Sequence, residues 1–331
     1  MFKKFLKVFA IGVCLAVIIS LPVGSTVNVA ADGVAEIAME LESGKILHAK
    51  NVDTRLPMAS TTKIMTALII AEDCDLSEVI TVPEAAVGVE GSSIYLKYDE
   101  RISIKDLLYG LMLRSGNDAA CAPAIHHSGS IEKFTEKMNE RAQELGATDT
   151  NFKNPSGLPD DEHYTTAKDL CNIARHAISN PILKKVVSTK QYDGDFRHFL
   201  NKNKILSSLD GANGVKTGYT KKAGRCLVSS AEREKMDVVC VVLNCYDMYE
   251  RSAEIINNCF DKYSLETISS DTVFEYKGRL CSLDGDYKIL AEKGKELKFE
   301  ICEADDGNAF AKLEIYCEND LIFSRNLYTI K

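Results

Sequence analysis

Between Pro57 and Ile70 the chain reads PMASTTKIMTALII. Met, Ala and Leu are good helix formers, and no Gly or Pro interrupts the run after Pro57. Apolar residues fall on every side beyond Lys63, so the spacing predicts a buried helix, not one laid on a surface. Ser60 and Lys63 nevertheless stand in its first turn, three residues apart and on one face. A hydroxyl beside an amine at a buried helix start is one way to make a nucleophile. The positive end of the helix favours the alkoxide. A lysine in low dielectric, near other cations, loses its proton near neutral pH and serves as a base. Ser-Thr-Thr before an apolar run is also an ordinary N-cap signal, and S-x-x-K is common by chance. The chemical reading therefore depends on what else the chain carries.

The start of the chain bears on where it works. Residues 1–31 have a basic start (Lys3, Lys4, Lys7), an apolar run from Val8 to Leu21, and small residues Val29-Ala30-Ala31 before Asp32. This pattern predicts a cleaved signal peptide and an exported protein in the extracytoplasmic, cell-wall and membrane-proximal space. No later segment approaches a membrane span; Val238–Cys245 is apolar but of strand length. Removing residues 1–31 leaves 37 basic against 48 acidic residues, a formal charge of −11 compared with −8 for the whole chain. Such an acidic protein is not expected to bind nucleic acid or grip anionic lipid by charge. Ten cysteines follow Cys14 at irregular spacing with no C-x-x-C. Several lie in apolar runs, and most are expected to be buried free thiols.

Glu42-Ser43-Gly44 separates two strand-like runs, Val34–Leu41 and Lys45–Lys50, which predicts a hairpin at a sheet edge. Val79–Val82 and Ile94–Leu96 read as short strands or loops. Helices are expected over Ser103–Leu113, Asp118–His126, Ser130–Leu145 and Thr166–Ser179, the last ending before Pro181. A polar loop spans Thr148–His163. Phe199–Leu206 and Asn213–Thr220 resemble strand or strand and turn. Arg225–Ala231 and Met236–Cys245 are β runs, and Tyr249–Tyr263 is an amphipathic helix. The expected fold is α+β: an antiparallel sheet flanked by helices, with a helical lobe and a cleft between lobes. Beyond about Thr267 the pattern changes to short strands, a small all-β module punctuated by Asp284-Gly285-Asp286 and Asp305-Asp306-Gly307-Asn308. The expected division is residues 1–31 signal peptide, 32–266 catalytic domain and 267–331 β-rich domain.

Two further clusters accompany S-x-x-K: Ser115-Gly116-Asn117 between two helices, and Lys216-Thr217-Gly218 in a strand-like stretch. Each alone reads as a helix C-cap or a turn. Together, in this order, they match the set S-x-x-K, S-D-N and K-T-G of penicillin-binding proteins and class A β-lactamases, with S-G-N in the middle. From Val34 to Tyr263 the chain resembles the low-molecular-mass penicillin-binding proteins, serine-type D-alanyl-D-alanine carboxypeptidases. Asn154-Pro155-Ser156-Gly157-Leu158, Thr165-Thr166-Ala167, Asn201-Lys202-Asn203 and Gly214–Thr220 with Ala223-Gly224 carry the likeness further.

The resemblance implies a β-lactamase/transpeptidase-like fold and no cofactor. It implies peptidoglycan stem peptides ending in D-Ala-D-Ala as substrates, β-lactams as inhibitors, and a place in cell-wall biogenesis and cell shape. Ser60 is the expected nucleophile and Lys63 takes its proton. Ser115 relays a proton to the departing D-alanine, which needs an acid. Asn117 holds the substrate amide and orients Lys63. Lys216 and Thr217 bind the terminal carboxylate, a charge that must be paired in a desolvated cleft. Gly218 lets substrate lie along the strand. Backbone N–H groups of Ser60 and Tyr219 form the oxyanion hole. Some relatives carry an arginine upstream of K-T-G; Leu206–Val215 has none, which leaves Lys216 more alone. Relatives often end in an amphipathic membrane helix, and no clear anchor is expected here after signal cleavage.

The six histidines show no H-E-x-x-H or H-x-H spacing, so no metal is expected. His126 and His127 read as surface or satisfied residues. A Ser-His-Asp triad stays open, although no G-x-S-x-G is present. Other readings on the same fold are a D,D-endopeptidase, a β-lactamase, or an inactive wall-binding homologue. Against the lactamase stands the lack of E-x-x-L-N between Asn117 and Lys216.

Overall fold

The computed structural model describes residues 33–304 and 309–330; the expected signal at residues 1–31 and the turn at 305–308 lie outside them. Strands β1 (Ala35–Glu40) and β2 (Ile46–Lys50) form the expected hairpin. A 3-10 turn, Ala59–Thr62, leads into α1 (Lys63–Asp73). The helical lobe continues with a small hairpin, β3 (Val79–Thr81) and β4 (Arg101–Ser103). Helices α2 (Ile104–Tyr109), α3 (Asp118–Ser128), α4 (Ile131–Glu144), α5 (Ala167–Ser179) and α6 (Pro181–Ser188) follow. After β5 (Gln191–Asp193), β6 (His198–Leu200) and the short α7 (Ile205–Ser208) come three long strands: β7 (Ala212–Thr220), β8 (Gly224–Arg233) and β9 (Met236–Leu243). Helix α8 (Met248–Lys262) closes this part of the chain.

The main sheet has the order β2-β1-β9-β8-β7, and every neighbouring pair is antiparallel. β9 is nearly all apolar because both its faces are covered. Val239, Val241 and Leu243 enter the core beneath the helical lobe, while Val238, Cys240 and Val242 enter a second core beneath α8. Lys216, Val228, Val241 and Ile37 pair across the strands in one row. Residues in one row share a face, so the Lys216 side chain is directed toward the helical lobe.

α1 is buried from Lys63 to Ala71, as its all-round apolar sequence requires. It touches α3, α4, α5 and α6. Truncating Leu68, which is fully buried, to Ala is expected to cost about 2–5 kcal/mol.

Several local expectations need correction. Only β2 of the hairpin lies at the sheet edge; β1 is interior. Of the strand or loop expected at Ile94–Leu96 the structure has the loop: the Ile94 and Leu96 N–H groups go to the Asp118 carboxylate and the Tyr95 N–H to Ser93 Oγ instead of a ladder. The α-helical part of Ser103–Leu113 ends at Tyr109 and passes into a π-helical turn, Gly110–Arg114. α5 ends at Ser179, before Pro181, as expected, but Pro181 begins a further helix: Asn180 caps α6 by accepting from Ile182 N and Leu183 N, and proline suits a first helical position. Phe199–Leu206, expected as strand or strand and turn, divides into the end of β6 and the start of α7.

The chain passes from α8 directly into β10 (Tyr263–Ile268). Then come β11 (Phe274–Tyr276), β12 (Arg279–Ser282), β13 (Tyr287–Glu292), β14 (Leu297–Cys302), β15 (Ala311–Cys317) and β16 (Asp320–Thr329). β10 pairs with β13, and the others form a sheet of order β11-β12-β16-β15-β14. They enclose a separate core that includes Leu283, Ile289, Leu313, Ile315 and Leu327. Of the ten cysteines from Cys74 to Cys317, eight are buried.

Candidate active site

The turn before α1 is built by its own hydroxyls. Thr61 Oγ1 donates to Met58 O at 2.6 Å and Thr62 Oγ1 to Ala59 O at 2.8 Å. No side chain caps α1, so the N-cap reading of Ser-Thr-Thr does not hold. Ala59 sits at φ 48°, an uncommon conformation for a residue with a Cβ. Ser60 is left half-buried at the turn's surface, and Lys63 is fully buried behind it.

Lys63 Nζ donates to three acceptors: Ser60 Oγ at 3.0 Å, Asn117 Oδ1 at 2.7 Å, and the backbone carbonyl of Ser156. Asn117 is itself pinned. Its N–H donates to Ser92 O at 2.6 Å and its Nδ2 to Glu90 O. Two residues earlier, Ser115 lies at φ 62° and accepts from Lys216 Nζ at 3.0 Å. Lys216 also donates to Thr217 O at 2.9 Å. β7 runs against the Ser60 turn so closely that a Cβ on Gly218 would stand 3.1 Å from Ser60 N and from Met58 O. Glycine is what this approach requires. Thr217 is half-buried on the same edge strand, and the Tyr219 ring is 65% exposed. The structure thus brings Ser60, Lys63, Ser115, Asn117, Lys216 and Gly218 into one connected cluster.

The buried amines meet hydroxyls, a carboxamide and carbonyls, not carboxylates. Burial pulls the Lys63 pKa down to about 7, the Lys202 cation pushes the same way, and Asp118 opposes. Burial also holds Lys216 well below its ordinary value, with Lys202 and Lys63 adding to the shift. Lys216 is therefore less alone than the missing arginine suggested: the field of Lys202 reaches both amines. An unprotonated amine 3.0 Å from a hydroxyl can accept its proton.

Several contributors have no role expected from the sequence, although Ser156 and Asp118 lie in or beside stretches that carry the family likeness. The Ser156, Glu90 and Ser92 carbonyls act through backbone, which residue type does not reveal. Asp118 wraps the wall of the cluster, accepting from Ser93 Oγ at 2.6 Å and from Ile94 N and Leu96 N; its place directly after S-G-N was the available signal. The ring of His163 meets Thr62 Oγ1 rather than Ser60. His126 meets Glu78 at 3.2 Å and His127 meets Asp73 at 3.1 Å. Among the described residues no group of three or more His, Cys, Asp or Glu is set to hold a metal.

The sequence and the fold have counterparts among known proteins. A family profile described as D-alanyl-D-alanine carboxypeptidase (peptidase S11) matches residues 24–247. The D-alanyl-D-alanine carboxypeptidase DacF of Bacillus subtilis is 33% identical over 296 residues, 82% of this chain and 76% of the relative. Penicillin binding protein 5 from Haemophilus influenzae superposes with a TM-score of 0.75 at 27% identity, over 90% of this chain and 96% of that one. The D-alanyl-D-alanine carboxypeptidase DacD from Francisella tularensis gives a TM-score of 0.74 at 26% identity, over 92% and 95%. The chain belongs to the D-alanyl-D-alanine carboxypeptidase family and is a serine hydrolase of the peptidase class.

Proposed function

We propose that the protein removes the terminal D-alanine from peptidoglycan stem pentapeptides through an ester on Ser60, and that penicillin acylates the same oxygen. The observation that carries this reading is the bond from Lys63 Nζ to Ser60 Oγ at 3.0 Å, in a setting that holds the amine near pKa 7. Unprotonated Lys63 takes the hydroxyl proton as Oγ attacks the carbonyl carbon of the penultimate D-alanine. The amide C–N bond breaks, and the departing amine takes a proton passed through Ser115. Water then adds to the ester carbon, the bond to Ser60 breaks, and Ser60 regains its proton. Asn117 keeps Lys63 aligned and receives the substrate amide. Lys216 and Thr217 pair the terminal carboxylate. Gly218 leaves room for substrate along β7, and the backbone N–H groups of Ser60 and Tyr219 receive the oxyanion.

Residues 32–266 form the catalytic unit in this reading, and residues 267–331 an appended β unit. Residues 1–31 direct export to the extracytoplasmic space, where the substrate lies. No described helix is long and apolar enough to cross a membrane. Ser60→Ala tests the core of the reading. It should abolish both D-alanine release and the mass increment left by penicillin on the peptide containing residue 60. Release at the wild-type rate would remove Ser60 from its role.

A further inference from the structure

We propose that His163 is a positioning residue for acylation: its ring ties the turn carrying Ser60 and Lys63 to the loop whose Ser156 carbonyl holds Lys63. The proposal rests on the reading of Ser60 as nucleophile and Lys63 as its base.

His163 lies between α4 and α5 and is 4% exposed. Its Nδ1 accepts the Lys153 N–H at 3.1 Å. A ring nitrogen that accepts carries no proton, so the neutral ring has its proton on Nε2. That N–H donates to Thr62 Oγ1 at 2.7 Å, and the Thr62 hydroxyl donates onward to Ala59 O at 2.8 Å. One ring therefore joins two stretches of backbone. The first is the Ala59–Thr62 turn, which fixes Ser60 and starts α1 at Lys63. The second is the loop at 153–158. Asn154 shapes that loop, its Oδ1 accepting from Gly157 N at 2.7 Å and Leu158 N at 3.1 Å. The loop is pressed onto the turn: a Cβ on Gly157 would stand 2.0 Å from Ala59 O. Thr66 Oγ1 makes a second tie, donating to Pro155 O at 2.7 Å.

The connection requires a neutral ring. Protonation would set an Nδ1–H against the Lys153 N–H and place a second cation beside Lys63. Burial holds the His163 pKa down at about 4; Asp160 opposes this, and Lys63 adds to it. The ring stays neutral throughout the range in which Lys63 exchanges its proton. A histidine that merely fills space would need neither the oriented tautomer nor the hydroxyl it meets.

The test measures acylation by a fluorescent penicillin across pH, using the full chain. His163→Phe keeps ring bulk and removes both bonds. Thr62→Val removes the acceptor at the other end, and Thr62→Ser restores it. His163→Phe and Thr62→Val should each slow acylation about 10- to 100-fold, the scale set by misplacing a reacting group. Thr62→Ser should stay near wild type. The acid limb of the rate should move upward in the slow variants, because a loosened Lys63 is less desolvated. A wild-type rate and limb in Thr62→Val, or equal slowness in Thr62→Ser, overturns the proposal. If His163→Phe does not fold, the two Thr62 variants decide. Ser60→Ala separates the two readings. If it still takes up the label, the nucleophile assignment fails. If it is inert while Thr62→Val reacts normally, only the positioning role fails.

Discussion

Two ionisable clusters are buried against opposite faces of the main sheet; burial disfavours the charged form in both, but only one has counter-ions that outweigh it. On the α8 side, Glu36 accepts from Arg251 Nε at 2.9 Å and Nη2 at 2.7 Å, and meets His48 Nε2 at 2.9 Å. On the helical-lobe side, Lys63 and Lys216 find only neutral acceptors. Burial by itself would raise the Glu36 carboxyl, but the bonds from Arg251 and His48 outweigh it and hold the pKa at about 2. Burial meets no such answer at Lys63, and the pKa falls to about 7. A counter-ion drives a buried group away from neutrality and locks its charge. Without one, burial brings a base into the range where it can give and take protons. The first cluster ties β1 to α8; the second is equipped for chemistry.

The strongest challenge to this contrast is to remove the unpaired amine. Lys63→Ala should lower D-alanine release from a D-Ala-D-Ala peptide by about 10³-fold or more. Release within tenfold of wild type would deny Lys63 its role as base. Asn117→Ala removes the acceptor that aligns the amine and should cost about 10²-fold in kcat, measured in the same assay. Glu36→Gln attacks the other face. It leaves Arg251 against a neutral amide and should lower stability by about 2–3 kcal/mol in urea unfolding, the low end for breaking a buried pair because Arg251 is partly exposed. Release per folded molecule should not change. If activity fell in step with stability, the two clusters would not be separable.

Acidity sharpens the contrast with a smaller effect. D-alanine release should rise with pH through about 7, as Lys63 loses its proton. The Glu36 carboxyl is depressed from 4.5 to about 2 on folding, so the unfolded chain binds its proton first. Its stabilisation is complete above 4.5 and is lost as pH falls through 2. The stability gap between wild type and Glu36→Gln should therefore narrow over that window. A constant gap would mean that the ionised carboxylate contributes nothing.

The chain's patterning exposes some of this and hides the rest. β9 is readable because an apolar run of strand length needs cover on both faces. α1 is readable because its apolar residues circle the axis. S-x-x-K, S-G-N and K-T-G are readable because their side chains bear the reactive groups. Phe199–Leu206 misleads because its two apolar pairs, Phe199-Leu200 and Ile205-Leu206, belong to different elements on either side of the polar Asn201–Lys204. Pro181 suggests a stop, yet with Asn180 before it proline starts a helix. The loops against the cluster are the least legible. Glu90, Ser92 and Ser156 contribute carbonyls that any residue possesses. His163 matters through a tautomer set by the Lys153 N–H, ten residues earlier in the chain.

The carbonyl at position 156 has a consequence for inheritance. A main-chain acceptor survives replacement of the residue that bears it, so mutation at this codon does not erase the third anchor of the amine. Selection can sense that anchor only through the path of the surrounding loop. Drift at position 156 is therefore limited by what its side chain does for that path: the buried Ser156 hydroxyl donates to Asn154 Oδ1 at 3.0 Å, beside the Gly157 and Leu158 N–H groups.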